Sequence, residues 1–117
     1  MEIVLTGTGS PLPDANRAGP STLVKAGDCH VLVDAGRGVL MRMAAAGSLP
    51  VFLSGVLLTH LHSDHICDLN DVITTHWIMS QGNATLAIYG PPGTEEFVDR
   101  QMHALEADIG YRIEHHD

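Results

Sequence analysis

The stretch Thr59-His60-Leu61-His62-Ser63-Asp64-His65, directly after the apolar run Val56-Leu57-Leu58, constrains this chain more than any other. It places three imidazoles and one carboxylate within six residues. In extended backbone alternate side chains share a face, so His60 and His62 point the same way and can grip one ion. Asp64 and His65 come after a turn and point elsewhere, which suits a second ion beside the first. Zinc takes imidazole nitrogen at roughly 2.0–2.1 Å and carboxylate oxygen at roughly 2.0–2.2 Å. Neither pair completes a tetrahedron, so each ion needs a further protein ligand, and a catalytic ion also needs a place for water. Two ions about 3.5–4 Å apart can share a hydroxide and clamp a transition state. The competing reading is a loop whose histidines hold no metal; so many donors at the exit of a buried strand favour metal. The helix-borne pattern with Glu beside the first His is absent, which argues against a one-zinc peptidase.

The rest of the chain supplies a scaffold of alternating elements. Glu2 to Thr6 reads as a strand, broken by Gly7-Thr8-Gly9-Ser10-Pro11-Leu12-Pro13-Asp14. Pro20–Ala26 and Cys29–Val33 read as a hairpin closed by Gly27-Asp28. Val39–Ala46 reads as a helix stopped by Gly47, and Val56–Leu58 as the strand that delivers the histidines. Ile66–Met79 reads as one helix with a buried stripe of Ile66, Leu69, Ile73 and Trp77. Asn83–Tyr89 reads as a strand, Glu95 to about Ala107 as a helix closed by Gly110, and Tyr111–Glu114 as a last strand. Met41, Met43 and Trp77 are expected in the core. The order is that of an α/β fold, a sheet covered by helices on at least one side.

Composition narrows the function. The 117 residues allow one small domain. Six basic against fourteen acidic side chains give a formal charge of −8, and the cations are scattered, which weighs against a phosphate backbone as partner unless metal ions cancel carboxylates. Cys29 and Cys67 have no zinc or disulfide spacing and sit beside apolar residues, so two buried thiols in a reducing compartment are expected. The start of the chain reads as a strand and not as a signal peptide, and no run is long enough to cross a membrane. A cytoplasmic protein is the expectation.

The motif resembles the His-x-His-x-Asp-His signature of the metallo-β-lactamase superfamily, matched by His60, His62, Asp64 and His65. The flanking stretches Leu5-Thr6-Gly7-Thr8-Gly9-Ser10-Pro11, Arg17-Ala18-Gly19-Pro20-Ser21-Thr22-Leu23, Val33-Asp34-Ala35-Gly36-Arg37-Gly38 and Ile88-Tyr89-Gly90-Pro91-Pro92-Gly93 resemble the ribonuclease Z and arylsulfatase-like branch. The resemblance spans residues 1–117 as the amino-terminal part of such a domain, and implies an incomplete αββα sandwich, its first half. It implies that His60 and His62 bind one zinc and Asp64 and His65 a second, with Mn2+ or Fe as other candidates. Asp64 also positions the hydroxide as a catalytic residue, and Asp34 lies beneath the site and orients the ligand loop. A further histidine, a bridging aspartate and a last histidine come from the later half in the family and are not matched here. His115 and His116 are the alternative ligands within this chain, and His76 and His103 read as surface or packing residues.

The function implied is metal-dependent hydrolysis of a phosphodiester or sulfate ester by a hydroxide held between two zinc ions. The substrate is a small anionic ester, as for a phosphodiesterase or arylsulfatase-like enzyme, or a transfer RNA precursor. A lactonase of the same fold, or an inactive metal-binding fragment, are the alternatives. Arg17 either meets an anionic substrate or faces solvent, and Asp34 is either the orienting residue or a turn residue. Gly7-Thr8-Gly9 lacks the third glycine of a nucleotide loop, where Leu12 stands, and reads as a turn. A sheet with an open edge and an uncovered apolar face favours self-association, or a homodimer of the longer protein.

Overall fold

Short apolar runs separated by turn formers build the sheet. The computed structural model describes residues 1–115. Strands Glu2–Gly7 (β1), Ser21–Ala26 (β2) and Cys29–Val33 (β3) pair in antiparallel order. The β2–β3 hairpin turns at Gly27-Asp28 as the sequence suggests, with Gly27 at φ 59°, a conformation its missing Cβ permits. Leu53–Leu57 (β4) and Ala87–Tyr89 (β5) add in parallel, so the sheet order is β1-β2-β3-β4-β5. Parallel strands need crossovers. These are Val39–Ala45 (α1) between β3 and β4, then Ser63–Ile66 (α2) and Leu69–Ser80 (α3) between β4 and β5. Thr94–Ala104 (α4) and Glu106–His115 (α5) follow.

The pleat sorts the sheet into two faces. The registers align Val4, Leu23, Leu32, Val56 and Ile88 across all five strands. This row packs with Val39 and Met43 of α1 and Leu69 and Val72 of α3 into the core. The rows on either side point the other way. They are Ile3, Val24, Val31, Gly55 and Ala87, and Leu5, Thr22, Val33, Leu57 and Tyr89. On this second face Leu5 is 67% and Tyr89 60% exposed, so an apolar surface lies open among the described residues.

Several elements differ from the expectation. The helix foreseen over Ile66–Met79 is two helices, because the backbone leaves helical geometry at Asp68 (φ −106°, ψ 12°). The buried face of α3 is Leu69, Val72 and His76, with Ile73 and Trp77 only half-buried. The strand foreseen from Asn83 begins only at Ala87, because Gln81 and Gly82 take left-handed conformations and the chain meets β4 first at Gly55. The strand foreseen over Tyr111–Glu114 is helix. Arg112 Nε donates to Asp108 Oδ2 at 3.0 Å one turn earlier, and Gly110, worth about 1 kcal/mol against a helix, is carried inside α5. Helix α4 ends at Ala104, and Leu105 separates it from α5. Cys29 and Cys67 are exposed, not buried, since one opens a hairpin arm and the other lies at the α2–α3 break. Met43 is in the core, but Met41, two residues earlier on the helix, faces away and is exposed. Among the described residues no helix is long and apolar enough to cross a membrane.

Candidate metal centre

Strands β3, β4 and β5 are parallel, so the loops after them emerge on one side of the sheet. Those loops carry Asp34, the histidine motif and Gly90-Pro91-Pro92-Gly93. Open α/β sheets place their chemistry at such carboxyl ends. The third loop touches the second: a Cβ on Gly93 would lie 3.3 Å from Leu61 Cδ1.

The motif is extended as far as His62 and helical from Ser63, and His65 does not point away from the first pair as its spacing suggests. His62 is still extended (φ −66°, ψ 142°), and α2 begins at the next residue. The rings of His60 and His62 therefore share a side, with centroids 4.7 Å apart. The turn of α2 brings His65 back toward His60, centroid to centroid 4.1 Å. Asp64 sits in the first helical turn, where the exposed N–H groups favour an acid. Its Oδ2 is 3.7 Å from His65 Nε2.

Asp34 organises this segment from below. It is 5% exposed and holds a left-handed backbone, φ 63°, which Asp tolerates better than most residues. Thr59 N–H donates to Asp34 Oδ1 at 2.8 Å, and Thr59 Oγ1 donates to Oδ2 at 2.7 Å. His65 Nδ1 lies 2.7 Å from the same Oδ2. An ionised carboxylate only accepts, so His65 Nδ1 carries the proton and its Nε2 keeps a free lone pair. Thr59 has spent its hydroxyl proton on Asp34, so its oxygen accepts from His60 Nδ1 at 2.9 Å. That leaves His60 with Nε2 free as well. A ligating histidine characteristically donates its other ring N–H in this manner. The donor set thus fits divalent metal, although among the described residues no three His, Cys, Asp or Glu side chains converge on one common position.

The side chains of the other residues singled out in the sequence make no hydrogen bond to this cluster among the described residues. Arg17 is exposed in a turn closed by its N–H to Asp14 carbonyl at 3.3 Å. His76 is a packing residue, 4% exposed, and burial lowers its pKa below the ordinary value of 6.5. His103 and His115 are exposed on α4 and α5, and His116 lies outside the described residues. Gly7 and Gly9 serve close packing: a Cβ on either would strike the backbone of Ala18 or Gly19. Desolvation and the Asp68 carboxylate raise the Cys67 thiol, partly offset by Arg37, so it is a neutral thiol and not a ready ligand at neutral pH. Thr59 and Asp68 are the residues that sequence reasoning missed. Thr59 carried a faint signal, a hydroxyl at the strand exit directly before the first histidine. Asp68 carried none, since its partner Gly38 is 30 residues away.

Comparison with known proteins gives the family and the fold. Residues 15–116 match the metallo-beta-lactamase superfamily. A protein named ribonuclease Z from Mycolicibacterium gilvum is 57% identical over 119 residues, covering 100% of this chain and 42% of the relative. The ribonuclease Z of Mycobacterium marinum is 58% identical over 118 residues, covering 99% and 42%. Among solved structures, the short form of human tRNase Z superposes with a TM-score of 0.81 at 26% identity, covering 91% of this chain and 40% of that one. The chain thus spans about two fifths of the length of the relatives it matches. Its mixed α/β sheet is part of the fold seen in full in tRNase Z. With the signature at His60, His62, Asp64 and His65 and a match over most of its length, the chain belongs to the metallo-beta-lactamase superfamily.

Proposed function

We propose that this chain carries the metal-binding segment of a metal-dependent hydrolase of the ribonuclease Z type, acting on the phosphodiester backbone of a transfer RNA precursor. The name borne by its relatives at 57% and 58% identity supports the substrate class. One observation carries the metal chemistry: Asp34 accepts from His65 Nδ1–H, and Thr59, whose hydroxyl donates to Asp34, accepts from His60 Nδ1–H, which leaves both Nε2 atoms free. His60 and His62 would hold one zinc and Asp64 and His65 a second. Bound divalent ions lower the pKa of water and neutralise charge that develops on phosphoryl oxygens.

The chain's own residues set the stage for that chemistry. Asp34 orients His65 and locks the backbone at Thr59 through its N–H. Thr59 fixes His60, and the turn of α2 aims Asp64 at the space beside His65 Nε2. A carboxylate there can accept a proton from a bound water and hold its oxygen toward the substrate.

A second reading, a small anionic ester as substrate, rests on the charge of −8, which repels a polyanion. Zinc titration of the chain, and incubation of the zinc-loaded longer protein that carries this segment with a transfer RNA precursor and with an aryl sulfate ester, test both. Retained zinc, lost in His60→Ala/His62→Ala, with cleavage of the precursor alone, is the expected result. Cleavage of the sulfate ester alone would select the second reading. A chain that keeps no zinc would overturn the metal assignment.

A further inference from the structure

The loop Asp34–Gly38 is tied down residue by residue. Asp34 N–H donates to Leu57 carbonyl at 2.8 Å, Ala35 N–H to His65 carbonyl at 2.7 Å, and Gly36 N–H to Pro20 carbonyl at 3.0 Å. Arg37 carbonyl accepts from Gly19 N–H at 2.8 Å. Each of these ties is backbone to backbone. Gly38, which ends the loop, is tied differently: its N–H donates to Asp68 Oδ2 at 2.7 Å. Asp68 N–H in turn donates to Ala35 carbonyl at 3.0 Å. The loop and the segment His65–Asp68 are therefore stitched by three hydrogen bonds, besides the Asp34–His65 contact.

The use made of the Asp68 carboxylate is unusual for its place. Asp68 is the N-cap of α3, where an aspartate ordinarily accepts from N–H groups of its own helix. It makes no such cap bond. It reaches instead to Gly38, the N-cap of α1, whose N–H is aimed by a left-handed φ of 86°. A conformation such as that of Asp34, φ 63°, persists only where its surroundings over-determine it.

We propose that Asp68 is a positioning residue for the metal centre: by clamping Gly38 it holds the Asp34 loop against the His65 turn, and so keeps the Asp34 carboxylate on His65 Nδ1. This rests on the metal reading above. Among the described residues the Asp68 side chain makes no hydrogen bond to any of the four donors. Asn at this position keeps an oxygen acceptor for Gly38 and Ala removes it.

Zinc affinity of the chain, measured by titration with zinc alone, and the His65 Nδ1 proton, followed by nuclear magnetic resonance without metal, form the test. Asp68→Ala is expected to weaken zinc binding about tenfold, the lower end for residues that orient ligands. It is also expected to broaden or shift the His65 proton, whereas Asp68→Asn stays near the parent in both. Asn70→Ala is the stability control, because Asn70 Nδ2 donates to Cys67 carbonyl at 3.1 Å on the same helix start and makes no hydrogen bond to the loop among the described residues. It should lower thermal stability and leave zinc affinity unchanged. Parent-like affinity and an unshifted His65 proton in Asp68→Ala would overturn the positioning role while the metal site stands. So would equal losses in Asp68→Ala and Asn70→Ala. If the parent chain itself binds no zinc, the metal site and the role of Asp68 fall together.

Discussion

His65 Nδ1 and Asp34 Oδ2 are 2.7 Å apart although 31 residues separate them in the chain. The contact joins the end of β3 to α2 beyond the end of β4, and it decides which nitrogen of His65 is offered outward. Asp34→Asn is its sharpest probe, because Asn also accepts a left-handed backbone. The fold should survive, and zinc affinity should fall between about 10- and 100-fold in a zinc titration. An unchanged affinity would make Asp34 a turn residue only.

Thr59→Val keeps the β-branched shape and deletes the hydroxyl that stands between Asp34 and His60. Nitrogen chemical shifts of His60 should change from a single Nδ1–H form toward a mixture of tautomers. Loss of the hydrogen bonds should cost about 1 kcal/mol in chemical denaturation. A His60 ring that keeps one tautomer would show that Thr59 does not set it.

Acid should weaken the fold through His76. Burial lowers the pKa of this histidine in the folded chain, while the unfolded chain titrates near 6.5. As pH falls below about 6.5 the unfolded state takes up the proton first, so stability present above that pH is lost as pH drops through the lowered folded value. The melting temperature of the parent chain should therefore fall from pH 7.5 to pH 5, and His76→Phe should flatten that slope. Equal slopes for the two proteins would assign acid sensitivity elsewhere.

The uncovered sheet face should make the chain associate. Leu5, Leu57 and Tyr89 lie on one row across the sheet and are exposed. Analytical ultracentrifugation should find a concentration-dependent larger species, and Leu5→Lys with Leu57→Lys should shift it toward monomer. A monomer at every concentration would count against this role for the face.

Glycine packing gives a fifth target. A Cβ on Gly36 would lie 2.5 Å from Pro20 N, so Gly36→Ala has to displace backbone that neighbouring bonds hold in place. A loss of about 1–3 kcal/mol in denaturant unfolding is expected. Gly27→Ala has open space around its Cβ and pays only for the left-handed turn, so it should cost less.

The first part of the histidine motif was legible because its arrangement is local: alternation sets His60 beside His62, whereas the return of His65 toward His60 depends on where the helix starts. The hairpin at Gly27-Asp28 was legible for the same reason, as turn residues between two apolar runs. Asp34 could be assigned to this site only through family resemblance, since nothing in its neighbourhood names a partner on another strand. Thr59 and Asp68 act through pairings that the sheet and crossovers create, and no spacing rule reaches across them. The last segment was misread because Gly110 and the β-prone Tyr111 and Ile113 outweighed, on paper, the one-turn ion pair Asp108–Arg112 that the helix uses.

The left-handed backbone at Asp34 also bears on which replacements a copy released from selection would tolerate. Asparagine and glycine are reachable from an aspartate codon by one base change, and both accept that backbone more readily than other residues do. Copies released from selection could thus exchange the carboxylate for either residue and still fold. Silent descendants would be recognisable by an intact histidine cluster above a neutral residue at this position.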